Sequence, residues 1–104
     1  FNDYEMFVNE QVEMFIEKIN DQTLESDMVC MYVDMTSAET CQALRDKVDS
    51  GIMIAINEIE LVESVYVVKL DMIDADGEES PLGEYKVFIV YDDGMNKLNL
   101  TPLR

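Results

Sequence analysis

The sequence predicts an α+β fold: N-terminal helices packed on a curved four-stranded antiparallel sheet. Three observations carry that prediction. Apolar residues recur at three- and four-residue spacing through residues 4–19. From residue 52 they alternate with polar residues at a period of two. Turn-forming pairs, Asp76-Gly77 and Asp93-Gly94, then punctuate the alternating half. Helices first and successive strands afterwards make a meander with one face covered by helix. With 104 residues the chain has room for one domain, residues 1–104, and a core of its own.

The first element is a helix. In NDYEMFVNEQVEMFIEKIN, residues Tyr4, Phe7, Val8, Val12, Phe15, Ile16 and Ile19 form one apolar stripe, with Glu10, Glu13 and Glu17 opposite. Asn2 as N-cap and Glu5 at the third position after it make a capping-box start. Gln11 falls on the apolar face and needs a partner if buried. Residues 23–35, TLESDMVCMYVDM, carry two signals. Val29, Tyr32 and Val33 favour strand, whereas Leu24, Met28, Met31 and Met35 fit a helical stripe. We read a short helix, with residues 28–35 as the contested part. Thr36 and Glu39 frame a second capping box before AETCQALRDKV. Cys41, Leu44 and Val48 form the buried face of that helix, and Gly51 supplies its stop.

The strands follow. In IMIAINEIELVE, Ile52, Ile54 and Ile56 share one face while Ile59 and Leu61 fall on the other, which predicts a bulge near Asn57 and Glu58. SVYVVKLDMID points Tyr66, Val68, Leu70 and Met72 one way. EYKVFIVY does the same with Tyr85, Val87, Ile89 and Tyr91, and Pro81 with Gly83 predicts a longer, looser connection before it. NKLNLTP closes the sheet with Leu98 and Leu100 inward. The opposite face carries Lys69 and Asp71, which mark it as solvent-exposed. It also carries Val65, Val67, Ile73, Phe88 and Val90, more apolar surface than a solvated face needs. A homodimer contact through the sheet face, a ligand groove, or packing against the chain's own ends would each account for it.

Composition excludes several function classes. Seven basic against 23 acidic residues leave a net charge of −16. Such a surface repels nucleic acid phosphates and anionic membranes, so neither is expected as a partner. Three readings of the charge remain: a solubilising coat, attraction to a basic partner including mimicry of nucleic acid, and loose divalent-cation binding or salt adaptation. No apolar run reaches the ~20 residues of a membrane helix, so insertion is not expected. The chain opens FNDYEM without an initiator Met, which reads as a processed or trimmed start and leans toward a secreted or cell-surface location, with the cytoplasm as the alternative. The two cysteines, Cys30 and Cys41, are too few for a disulfide scaffold or a cysteine zinc site. Either one bridge or two buried thiols is open.

Chemistry-bearing motifs are absent. Without histidine there is no Ser-His or Cys-His pair and no imidazole base. Neither GxGxxG nor GK[ST] occurs, and the Cys30 to Cys41 spacing is not CxxC. DMIDADGEES resembles a calcium loop at first sight. With Gly77 as the sixth position, Asp74 and Asp76 fit, but Met72 stands at the first and Gly83 at the twelfth, where carboxylates are required. We read a hairpin turn. A catalytic carboxylate must be partly desolvated, whereas acidic pairs such as Asp92-Asp93 and Glu78-Glu79 fall in turns, where water solvates them. Asp34, beside an apolar run, is read as a capping residue. No catalytic, cofactor-binding or metal residue is assigned, and no cofactor is expected. The eight methionines fill core gaps or form an adaptable surface.

The first helix YEMFVNEQVEMFIEKI, the later SAETCQALRDKV and the closing INEIELVESVYVVKLDMIDADG…EYKVFIVYDDGMNKLNL together resemble the cystatin-like α+β group, above all the nuclear transport factor 2-like superfamily. The terminal strand lacks the Trp often found after that superfamily's last turn, with Met95 and Asn96 there instead. The resemblance implies a cone of helices and curved sheet that can hold an apolar ligand. It also implies relatives that are either isomerases or non-catalytic binding and assembly domains, among them ectodomains of bacterial lipoproteins. No catalytic position transfers residue by residue. The leading expectation is a non-catalytic domain binding a protein, peptide or apolar ligand. The alternatives are a small acid–base enzyme of the ketosteroid-isomerase-like type and an acidic decoy that engages a nucleic-acid-binding protein.

Overall fold

The structure, a computed structural model, describes residues 3–32 and 38–103. Three helices come first: α1 (Asp3–Asn20), α2 (Ser26–Tyr32) and α3 (Ala38–Asp49). Four strands follow, β1 (Met53–Val62), β2 (Val65–Ile73), β3 (Glu79–Asp92) and β4 (Met95–Pro102), and they pair antiparallel in the order β1-β2-β3-β4. The predicted α+β architecture is present, with helices on one face of a meander. Asn2, Val33, Asp34, Met35 and Thr36, for which caps or helix ends were expected, lie outside the described residues.

α1 buries the stripe its spacing predicts: Val8, Val12, Phe15, Ile16 and Ile19. Each such side chain is worth about 1.5–3 kcal/mol on leaving water. Tyr4 sits at the margin, 55% exposed, with its ring against Phe7 and Tyr66, and Gln11 is half-buried. At the other end Asn20 docks the helix on the sheet edge. Its Nδ2 donates to the Ile54 carbonyl at 2.7 Å and its Oδ1 accepts from the Ile54 N–H at 2.9 Å. α3 ends on Gly51 at φ 101°, which a side chain rarely adopts. The Gly51 N–H reaches the Val48 carbonyl (2.9 Å) and the Ile52 N–H the Lys47 carbonyl (3.1 Å). That is the paired closure of a Schellman motif.

Residues 26–32 of the ambiguous segment are helical. The open question of the cysteines is also answered: Cys30 on α2 and Cys41 on α3 form a disulfide. α2 is too short to hold itself on propensity. The bridge and the buried Val29 tie it to α3.

Two hairpin tips lie at one end of the sheet. Asp93 (φ 51°) and Gly94 (φ 77°) make the second, the pair of positive φ angles that suits tight hairpins. Glu63 and Ser64 make the first with φ 49° and 71°, although neither is glycine. At the other end, residues 74–78 connect β2 and β3. Asp74 Oδ1 accepts the N–H groups of Asp76 and Glu78, both at 2.9 Å, and the Asp74 carbonyl accepts that of Gly77. The acid in the calcium-like stretch therefore organises a turn. The expected long connection is a correction: β3 begins at Glu79 and runs through Pro81 and Gly83. β4 ends opposite Tyr85, so Pro81 lies on a stretch of β3 that β4 does not flank, where a missing N–H is tolerated.

The core fills the space between helices and sheet. Ile54, Tyr66, Val68, Leu70, Val87, Leu98 and Leu100 meet the α1 stripe, Val29, Cys41, Leu44 and Val48. The opposite face presents Val62, Phe88 and Val90 to solvent, and its Val67 is buried with Glu60 and Lys86 as cross-strand neighbours.

Candidate functional site

The sheet departs from regular pairing at two adjacent places. Between β1 and β2 the register slips from Ile56–Leu70 to Glu58–Lys69, leaving Asn57 as the extra residue. Between β2 and β3 it slips from Leu70–Gly83 to Asp71–Pro81, leaving Leu82 extra. Both slips meet at Leu70. Bulges bend and twist a strand, so a line of distortion crosses three strands there. The bulge predicted from the misphased isoleucines is real. It returns Ile59 and Leu61 to the face of Ile54 and Ile56.

Two open grooves flank this line and share Asn57. The first, about 630 Å³, is lined by Lys69, Asp71, Leu82, Tyr85, Pro102 and Leu103 among others. Asn57 Nδ2 donates to Asp71 Oδ2 at 2.8 Å. Lys69 Nζ stands among Glu58 (3.4 Å), Glu84 (3.9 Å) and Glu60 (4.0 Å). Its hydrogen bond with Glu58 first, then the charges of Glu60 and Glu58, hold its pKa above the usual lysine value. Burial raises that of Tyr85, so its hydroxyl stays protonated as a donor. The second groove, about 500 Å³, runs between α1 and β1 and is lined by Glu5, Met6, Asn9, Glu10, Glu13 and residues 56–59.

None of the described carboxylates is buried. Thr40 and Arg45 are the buried polar residues among those described. Arg45 is structural, since its guanidinium caps carbonyls of α1 and the following loop. No described group of three or more acids or cysteines is placed to hold a metal ion, and no described helix is long and apolar enough to cross a membrane. Glu78, Glu79 and Asp93 lie exposed at hairpin ends, as their turn positions imply.

Sequence reasoning placed Lys69 and Asp71 correctly on the exposed face. It did not bring them together with Asn57 and Tyr85. The signal was there in the bulge, because an extra residue beside a strand edge is where side chains are re-aimed. No protein-family model, curated protein or solved structure matches this chain.

Proposed function

We propose that the domain, of the cystatin-like or nuclear transport factor 2-like kind, is a non-catalytic binding module that works outside the cytoplasm. Its ligand is a protein or peptide segment lying in an open groove beside the Asn57 bulge. One observation carries this reading: among the described residues the side chains of helices and sheet pack into one core, whereas the two grooves beside Asn57 are open and of mixed polar and apolar lining. A packed core among the described residues disfavours an enclosed apolar ligand, and open mixed grooves suit extended chains. The Cys30–Cys41 bridge supports the location, because disulfides persist in oxidising compartments.

The acid–base alternative has one observation on its side, namely that Asp71 and Tyr85 line the same groove. That groove is open to solvent, whereas acid–base catalysis is favoured in a water-excluded site. The test is an NMR titration of the ¹⁵N-labelled domain with pools of short peptides and, separately, with an apolar dye. Saturable shifts from peptides at residues 56–59 or at Tyr85 and Leu103 are expected. Saturable one-to-one binding of the dye among Val12, Leu44 and Leu100, with no peptide response, would overturn the reading.

A further inference from the structure

We propose that the groove between α1 and β1 receives a cationic peptide segment, one with Lys or Arg side chains flanking an apolar anchor. This rests on the binding-module reading and names its partner class. Glu5, Asn9 and Glu13 stand at four-residue intervals along α1, with Met6 and Glu10 as the adjacent row, so the flank of the helix turns one continuous stripe to the groove. Across from it lie Ile56, Asn57, Glu58 and Ile59. Met6, Ile56 and Ile59 supply an apolar floor, and four glutamates supply the rim.

Charge complementarity selects the occupant. Lys69 sits among Glu58, Glu60 and Glu84 and offsets them, so on the β1 side of the α1–β1 groove Glu58 is already paired. Among the described residues the α1–β1 groove has no Lys or Arg in its lining, so Glu10 and Glu13 on its α1 side carry the selective charge, on a chain whose net charge is −16. It repels anions and a second copy of this chain, and it draws a basic segment from a distance. The carboxylates are strung along the groove, and no described cluster of them gathers on one cation. That spacing suits several separated ammonium or guanidinium heads whose aliphatic stems lie on Met6 and the isoleucines.

The backbone points the same way. Asn20 bonds both the N–H and the C=O of Ile54 from the outer edge of β1. Strand alternation turns the same groups of Ile56, two residues on, to that edge. Outside the sheet ladder no described group bonds them, and Ile56 lines the groove. An extended segment can take that pair while its side chains meet the rim.

The probes are blocked peptides of alternating Lys and Leu, and equal-length peptides with Glu or Gln in place of Lys, titrated at about physiological salt, where only close charges act strongly. The Lys peptide is expected to bind with NMR shifts at Met6, Asn9 and Ile56–Ile59. The double variant E10Q/E13Q is expected to weaken it about three- to tenfold, the range for two surface charges. E63Q/E79Q, the same charge change on exposed residues elsewhere, leaves it within about twofold. Met6→Gln weakens binding without any change of charge. Equal loss in both charge variants, or loss in neither, would overturn the assignment. Binding of any of the three peptides at Tyr85 and Leu103 alone would overturn it and leave the binding-module reading standing. No binding by any of the three would sink both.

Discussion

Replacing Arg45 with Met removes the buried cation that ties α3 to the end of α1. Arg45 is 2% exposed. Its Nη1 donates to the Ile19 carbonyl at 2.8 Å and the Asp21 carbonyl at 2.7 Å, its Nη2 to that of Leu24, and its Nε to Asp49 Oδ1 at 3.2 Å. Helix α1 ends with carbonyls that have no intrahelical donor, and here one guanidinium serves the helix end and the loop to α2 together. The Ile19 bond is fully buried and counts in full, about 2–3 kcal/mol, while the part-buried two admit water and add roughly 0.5–1 kcal/mol each. The Asp49 pair adds little, because its carboxylate side is 48% exposed.

The sum is about 3–5 kcal/mol, a large fraction of the roughly 5–15 kcal/mol that holds a domain of this size. Urea denaturation under oxidising conditions reads it directly, and the melting temperature should fall by about 15–25 °C. Asp49→Asn should cost about 0.5 kcal/mol or less. A loss below about 1 kcal/mol for Arg45→Met, or an equal loss for Asp49→Asn, would refute the capping role and leave the ion pair or nothing in its place.

Further predictions follow from other parts of the fold. Reducing the Cys30–Cys41 bridge, which spans a sequence separation of 11, should cost about 3 kcal/mol by the loop-entropy relation; urea curves with and without reductant measure it, and no change would show the bridge idle. Replacing Glu63 and Ser64 by Asn and Gly fits the positive φ angles of that hairpin tip and should stabilise the domain by about 1–2 kcal/mol, read by the same denaturation. At alkaline pH, Lys69 and Tyr85 both have folded-state pKa values above their ordinary ones. Their contribution is complete below the unfolded values and is lost as pH rises through the folded ones. Stability should therefore drop above about pH 10, and Tyr85→Phe should lose less of it than the parent; an equal decline would contradict burial of the ring.

Much of the fold was legible because it depends on local period. The Val8–Ile19 stripe, the alternation around Val68 and Val87, and the phase slip at Asn57 each show within a dozen or so residues. What escaped depends on contacts remote in sequence. Arg45 sits in a helix of polar appearance, and its carbonyl partners lie 21 to 26 residues away. Asn20 reaches Ile54 across 34 positions. Neither residue type announces a buried role. Pro81 and Gly83 usually interrupt strands and so hide the start of β3 in the sequence, and only the end of β4 opposite Tyr85 shows why Pro81 is accepted there. The cysteine pair was undecided because pairing is a distance in space, set by how α2 folds back on α3. The grooves were half legible: the bulge was foreseen, but which side chains it gathers was not.

Deleting Asn57 tests the central claim that the bulge line creates the binding site. The partners on either side, Ile56–Leu70 and Glu58–Lys69, would become consecutive, so β1 regularises with Ile59 still packed on the core and Leu61 on the same face of the sheet. The deletion variant should fold with its Cys30–Cys41 bridge intact and with stability within about 1–2 kcal/mol of the parent. A side-by-side titration with the Lys-Leu peptide should show binding lost or weakened at least about tenfold. A bulge-free domain that binds the peptide as tightly as the parent would contradict the claim.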